Sequence, residues 1–348
     1  MTSSVNNYHG TLKTTYNCFL NLFPGLLLCF LLAMAAKFVS EHYGGPTILY
    51  SLLMGMAFNY LSTEGRCVAG IQFASKTVLR VGIALLGARI TIEQLMSLGV
   101  TPIVIVLLGV SLTIICSIFF GKILKLEKNQ SILGGASVGI CGASAALAVA
   151  SVLPQDKESE KNLVFVVISV TALSTVAMIL YPLIVAALGF SEIESGIFLG
   201  ATIHDVAQVV GAGYMISDNV GDIATFTKLL RVAMLVPVVV LISLTITRKK
   251  ETNLGENPTP FPLFLIGFIV VVSINSLGFL NVAVSAPMID ASRWCLVIAM
   301  VGLGMKASFK ELAAMGWRPM ALMVVNTLFL ATLVTVGLYF TSLCSLCG

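Results

Sequence analysis

Charge is what this chain has least of. Only 10% of its 348 residues are Asp, Glu, Lys or Arg, against 57% hydrophobic, whereas ordinary soluble domains carry roughly 25% charged residues. So few groups cannot coat an apolar interior of this size, which excludes a soluble globular protein and leaves a membrane protein. Histidine is scarcer still, with three in all, and no His/Glu pair at metal-ligand spacing, phosphate loop or Ser/Lys dyad is present. The basic residues do not interleave with aromatics, so no nucleic acid is expected as a partner, and no cofactor is called for. The eight cysteines fall mostly inside apolar stretches, where cysteine acts as a small hydrophobe. Only Cys344 and Cys347 have a metal-like or redox-like spacing; with no second pair beside them, a disulfide or two idle thiols is expected.

What is present is a succession of apolar stretches long enough to approach the ~30 Å of a bilayer core. They lie at 19–36, 46–61, 77–97, 101–121, 131–153, 163–188, 195–216, 226–247, 261–281, 294–313 and 318–343. The sequence thus predicts an all-α polytopic membrane protein of about eleven segments, forming one transporter domain over 1–348. Basic residues cluster at Arg66, Lys76 and Arg80, at Lys122, Lys125 and Lys128, at Arg248 to Lys250, and at Lys306, Lys310 and Arg318. If every segment crosses, all four clusters share one side, which the distribution of basic loop residues assigns to the cytoplasm. The N-terminus is then inside and the C-terminus outside a bacterial inner membrane. A competing reading takes FPGLLLCFLLAMAA as a cleaved signal peptide.

An internal repeat gives the first mechanistic clue. A shift of 217 residues lays 74–102 over 291–319, matching Ala74, Ser75, Gly87, Gly99 and Pro102 with Ala291, Ser292, Gly304, Gly316 and Pro319. Lys76 faces Arg293 and Arg89 faces Lys306 in the same register. By the segment count the two copies, 74–121 and 291–343, run in opposite directions. Inverted repeats of this kind characterise secondary transporters, whose sites lie where the repeats meet and open alternately to each side.

Two stretches, 131–153 and 195–216, concentrate glycine in spans that should cross a bilayer. Glycine costs about 1 kcal/mol relative to alanine in a helix interior, so such clusters mark either a broken helix or close packing through small residues. A broken helix directs free N–H groups into the gap and favours an anion at its second half. His204 is the histidine placed within a span, and an ionisable group there is a functional candidate by default; the alternative is a neutral ring bonded to a carbonyl. Gln208, at i+4, shares its face if the helix continues. Asp205 is either a coupling group or a cap for the second half-helix.

GASVGICGASAALA and GATIHDVAQVVGAG, with LRVGIALLGARIT before them and KLLRVAMLVP after, resemble the signatures of the bacterial sulfate exporter family of inner-membrane proteins. The SVGICGASA stretch is also similar to the crossover region of bile acid and sodium symporter folds. The resemblance implies a secondary carrier for sulfate or a related sulfur oxyanion, coupled to protons or sodium, with a core and a panel domain. Ser137, Gly139, Cys141, Gly142 and Ser144 would line one break, and Thr202, His204 and Gln208 the other. Arg231 is the expected direct partner of the anion, helped by Lys228, although the segment count puts it at the outer interface. His204 and Asp205 are the coupling candidates. The expected partners are the anion, the coupling ion and the lipid bilayer, and a homodimer is compatible with the chain. Two other classes stay open: a sodium/proton antiporter-like cation carrier with Asp205 as its site, and an intramembrane enzyme using His204 and Asp205 as acid and base or Cys141 as nucleophile. The repeat argues against the enzyme, which has no need of alternating access.

Overall fold

The computed structural model describes residues 2–44, 46–154, 159–247, 263–306 and 317–347, and among them every regular element is a helix. The chain divides into two compact units, Met1–Thr91 with Phe264–Ala307, and Ile92–Leu263 with Ser308–Gly348. The basic cluster 248–250 and Lys310 lie outside the described residues, as do the side chains of Cys18, Cys344 and Cys347. Cys29, Cys67, Cys116, Cys141 and Cys295 are free thiols.

The first unit is built from α1 (Thr2–Tyr43), α2 (Thr47–Ala57), α3 (Val68–Phe73) and α4 (Leu79–Leu86), with α14 (Leu263–Ser276) and α15 (Val282–Lys306). α3 and α4 run on through a π turn, Ala74–Val78, as one apolar span from Val68 to Leu86. This corrects the expected 77–97: the i→i−3 bonds of Ala88 and Arg89 close the helix at Gly87. α15 begins twelve residues before the expected 294; its third turn carries an Asp290–Arg293 ion pair at 3.8 Å, and Trp294 lies under Lys37. α2 is short because Pro46 precedes its first turn and the chain after Phe58 turns away, with Asn59 Nδ2 and Ser62 Oγ both donating to the Met305 carbonyl. α14 stops at Gly278, whose φ of +76° suits glycine, with Phe279 N–H reaching back to the Ile274 carbonyl.

The helices of this unit approach closely through glycine. A Cβ on Gly304 of α15 would stand 2.2 Å from the Leu52 carbonyl oxygen of α2, and one on Gly87, just after α4, would stand 2.8 Å from the Phe268 carbonyl oxygen of α14. The 217-residue shift that relates Gly87 to Gly304 relates Leu52 to Ile269, one residue from Phe268. Gly304 thus meets α2 where the aligned Gly87 meets α14.

The second unit contains α5 (Ile92–Ser97), α6 (Thr101–Ile123), α7 (Lys128–Gly139), α8 (Ala143–Ala150), α9 (Ser159–Leu188), α10 (Glu192–Thr202), α11 (Val206–Ile216), α12 (Asp218–Ala233), α13 (Leu235–Thr247) and α16 (Trp317–Cys347). α10 opens on a capping box in which Ser191 and Glu194 satisfy each other's backbone. Glu192, exposed beside it, accepts from Asn219 Nδ2 at 2.8 Å and Ser217 Oγ at 2.7 Å, tying the starts of α10 and α12 together. Those bonds hold its carboxyl below the ordinary glutamate range, so the tie is present at neutral pH and is lost as pH falls through that lowered value.

Seven helical stretches among the described residues are long and apolar enough to span a bilayer: Leu20–Tyr43, Val68–Leu86, Thr101–Ile123, Lys161–Leu188, Asp218–Leu244, Ala283–Lys306 and Trp317–Thr341. The other four expected spans are two short helices, α2 with 11 residues and α14 with 14, and two broken pairs, α7–α8 and α10–α11. The short helices rise only about 16 and 21 Å. The expected breaks at 131–153 and 195–216 are thus present, while the count of full-length crossings is lower than eleven.

Valine at position 304 is expected to lower stability by about 2 kcal/mol or more, since its Cβ meets backbone that cannot yield. Gly337→Ala, where the new Cβ would lie 3.8 Å from Ile105 Cγ1, should be neutral or slightly stabilising. Thermal melts in detergent measure both; equal melts for the two variants would contradict the close packing of α2 and α15.

Candidate functional site

α7 ends because Ile140 leaves helical geometry and Gly142 takes φ of +67°, a conformation costly for any residue with a Cβ. Gly142 N–H closes the turn onto the Ser137 carbonyl at 2.8 Å, and α8 restarts at Ala143. α10 ends at Thr202, after which Ile203 and Asp205 are extended and α11 starts at Val206. The two breaks meet: the space beside the Gly142 Cα is filled by the His204 backbone, 3.6 Å from where a Cβ would be.

Each break leaves carbonyl groups without helical partners, and α12 supplies cations to them. Lys228 Nζ donates to the Ile140 carbonyl at 2.8 Å and the Ile203 carbonyl at 2.9 Å, one from each break. Arg231 donates from Nε to Gly139 at 2.9 Å, from Nη2 to Val138 at 2.6 Å, and from Nη1 to Gly200 at 3.3 Å and Ile203 at 3.0 Å. Both side chains are fully buried, at 0% and 1% exposure. The placement of Arg231 at an outer interface is therefore corrected. α12 carries it to the meeting of the breaks, where its flat fork spans the C-terminal ends of α7 and α10, the negative ends of their dipoles. Four of its five N–H groups are spent on carbonyls, so its first role is to hold the breaks together.

The other predicted residues separate into groups. Ser137 and Thr202 are buried and turn their hydroxyls back onto the Leu133 and Phe198 carbonyls, both at 2.6 Å. Gly139 and Cys141 are buried at the first break, while Ser144, in the first turn of α8, is exposed. Asp205 caps α11, its Oδ1 accepting from Ala207 N–H at 3.0 Å. The sharing of one helical face by His204 and Gln208 is overturned, because His204 sits in the extended link. Its Nε2 lies 3.0 Å from Thr327 Oγ1 of α16. The Thr327 hydroxyl also lies 2.9 Å from the Met323 carbonyl, and which of Nε2 and Oγ1 donates depends on the ring's tautomer. Gln208 instead faces α9, donating from Nε2 to Thr175 Oγ1 at 2.9 Å, with its Oε1 buried and unpartnered.

Three residues of the site carry no sequence signal. Ser174 Oγ accepts the N–H groups of both His204 and Asp205, at 3.2 and 3.0 Å, and Thr175 and Thr327 hold the Gln208 and His204 side chains. Each lies in an unbroken apolar helix, where a hydroxyl normally bonds its own backbone. Ser174→Ala leaves two buried N–H groups without an acceptor and should destabilise by about 2 kcal/mol or more, whereas Ser174→Thr keeps the acceptor. A melt of Ser174→Ala equal to wild type would show that α9 does not hold this break.

Residues 24–323, which include both breaks, match a family model described as Conserved hypothetical protein 698. A UPF0324 membrane protein of Chlorobaculum tepidum is 53% identical over 330 residues, 94% of this chain and 92% of its own length. The UPF0324 membrane protein TauZ of Paracoccus denitrificans is 47% identical over 320 residues, 91% of this chain and 95% of that protein. A UPF0324 membrane protein of Bacillus cereus is 32% identical over 324 residues, 90% and 94% of the two chains. The likeness to sulfate exporters and bile acid symporters rests on the motifs alone. This chain is a multi-pass membrane protein of the family described as Conserved hypothetical protein 698, related to the UPF0324 membrane proteins.

Proposed function

We propose that the protein is a secondary active transporter that exports sulfate or a related sulfur oxyanion from the bacterial cell by alternating access, coupled to protons. The observation that carries this is the charge of the second unit's interior. Lys228 and Arg231 are buried, and no Asp or Glu is buried among the described residues. The two helix ends they touch offset about half a charge each, which leaves about one positive charge opposed by Asp205, whose carboxylate is within electrostatic reach of Lys228. With the Asp205 carboxyl neutral, that positive charge is unopposed and attracts an anion. The Ala143 and Ser144 N–H groups at the start of α8, unused within the helix, and the exposed Ser144 hydroxyl offer it hydrogen bonds.

Asp205 and the anion draw on the same field. Protonating Asp205 releases that field to the anion, so proton and anion binding favour each other. Protonating His204 would instead set a third cation beside Lys228 and Arg231. The proton is therefore given to Asp205, and His204 links the break to α16. The sodium/proton antiporter-like alternative is disfavoured because the carbonyl groups that would hold a cation already bind Lys228 and Arg231. This reading contains no catalytic step.

The reciprocal contacts of Gly87 and Gly304 support the inverted repeat, since i-to-j and j-to-i contact is what a two-fold relation produces. Of the three chain passages between units, those at Thr91/Ile92 and Ala307/Ser308 also coincide to within one residue under the shift. In this reading the repeats rock against each other in the inner membrane, with the N-terminus cytoplasmic and the C-terminus outside.

Proteoliposomes tested for labelled sulfate and thiosulfate flux under an imposed pH gradient should accumulate the anion. Asp205→Asn, which still caps α11, should retain anion exchange and lose at least about 90% of gradient-driven accumulation, the loss of a tenfold effect being about 1.4 kcal/mol of coupling. No flux above empty liposomes would reject the carrier; gradient-driven flux that survives Asp205→Asn would reject the proton assignment.

A further inference from the structure

The C-terminal ends of α7 and α10 form a nest of carbonyl oxygens: Val138, Gly139 and Ile140 from one, Gly200 and Ile203 from the other. Two threonines with buried hydroxyls pack beside it. Thr113 of α6 lies against Gly139, and Thr227 of α12 lies against Gly200, by the 3.6 and 2.7 Å separations of their Cβ atoms from a Cβ built on each glycine. Thr113 Oγ1 and Thr227 Oγ1 both lack a hydrogen-bond partner. A dry cluster of oxygens that belong to the negative ends of two helices is what binds a monovalent cation when water is excluded.

We infer that this nest is a monovalent-cation site whose occupant is built into the chain: the Lys228 ammonium stands where a free alkylammonium or alkali-metal ion would otherwise bind. The geometry fits. Nζ touches one carbonyl from each broken helix, 2.8 and 2.9 Å away, and the ammonium is a compact charge on a flexible stem. Arg231 spreads its charge over the flanking carbonyls and cannot substitute at the centre. Because Lys228 is part of α12, the cation is never released, and the junction of the breaks keeps its charge throughout the cycle. The consequence for transport, sodium-independent flux, rests on the carrier reading above; the cation site itself does not.

The test is therefore read as stability. Purified wild-type protein and Lys228→Ala are melted in choline, sodium and ethylammonium chloride at equal ionic strength. Wild type should melt at the same temperature in all three. Lys228→Ala should melt at least about 5 °C lower in choline and regain most of that in ethylammonium, which replaces the deleted amine, with sodium giving a smaller recovery; shifts of this size correspond to the loss and return of a buried charged contact. Failure of both small cations to raise the melt of Lys228→Ala overturns the inference. So does wild-type protein that sodium stabilises by several degrees, since the site would then not be filled. If Lys228→Ala does not fold, Lys228→Met keeps the stem's packing: stabilisation by sodium over choline supports the site, and indifference overturns it. None of these outcomes depends on whether sulfate moves.

Discussion

Backbone carbonyl groups cannot be left bare in an apolar interior. Each unpaired one costs a few kcal/mol, and two helices that stop within a buried unit expose several at once. The second unit is organised around the answer to that problem: one helix, α12, brings Lys228 and Arg231 three residues apart to the place where α7 and α10 both end. The six hydrogen bonds they donate to carbonyls make the breaks affordable. The same residues fix the sign of the interior. The pairing of the breaks and the positive charge of their junction thus come from one pair of side chains, and a substitution at either acts on both.

The breaks also create two unused helix starts, at Ala143 and Val206. Asp205 caps the second; at the first, Gly142 offers no side chain and the Cys141 sulfur takes only the Ala145 N–H. The contrast places the free N–H groups on α8, the side to which Ser144 is exposed. The acid that could neutralise the cations sits in the same link as the histidine that ties the link to α16, so a change of charge at Asp205 acts directly on the segment joining α10 to α11. α9, through Ser174 and Thr175, braces that segment from the other side.

Much of this was legible in the sequence for specific reasons. Glycine clusters marked both breaks because φ of +67° at Gly142 is costly for a residue with a Cβ, and a Cβ on Gly200 would stand 2.4 Å from the Ala224 carbonyl oxygen. Two glycines of the aligned register, Gly87 and Gly304, sit where contact leaves no room for a Cβ. Arg231 was misplaced because counting alternate crossings assumes that each apolar stretch spans the bilayer, and α2, α14 and the broken helices do not do so as single full-length helices. The pairing of His204 with Gln208 failed because i+4 spacing presupposes a continuous helix, and the break falls between Thr202 and Val206. Ser174 and Thr327 could not be picked out, since hydroxyls spaced through apolar helices look alike until the neighbouring break is in place.

The central claim is that the positive junction of the two breaks holds the transported anion at the first turn of α8. Selenate has the shape and charge of sulfate and carries an anomalous scatterer, so a crystal structure of the protein grown with it locates the anion directly. The account predicts one selenium peak within hydrogen-bonding distance of the N–H groups of Ala143 and Ser144. A peak elsewhere in the protein, with none at this turn, would contradict it.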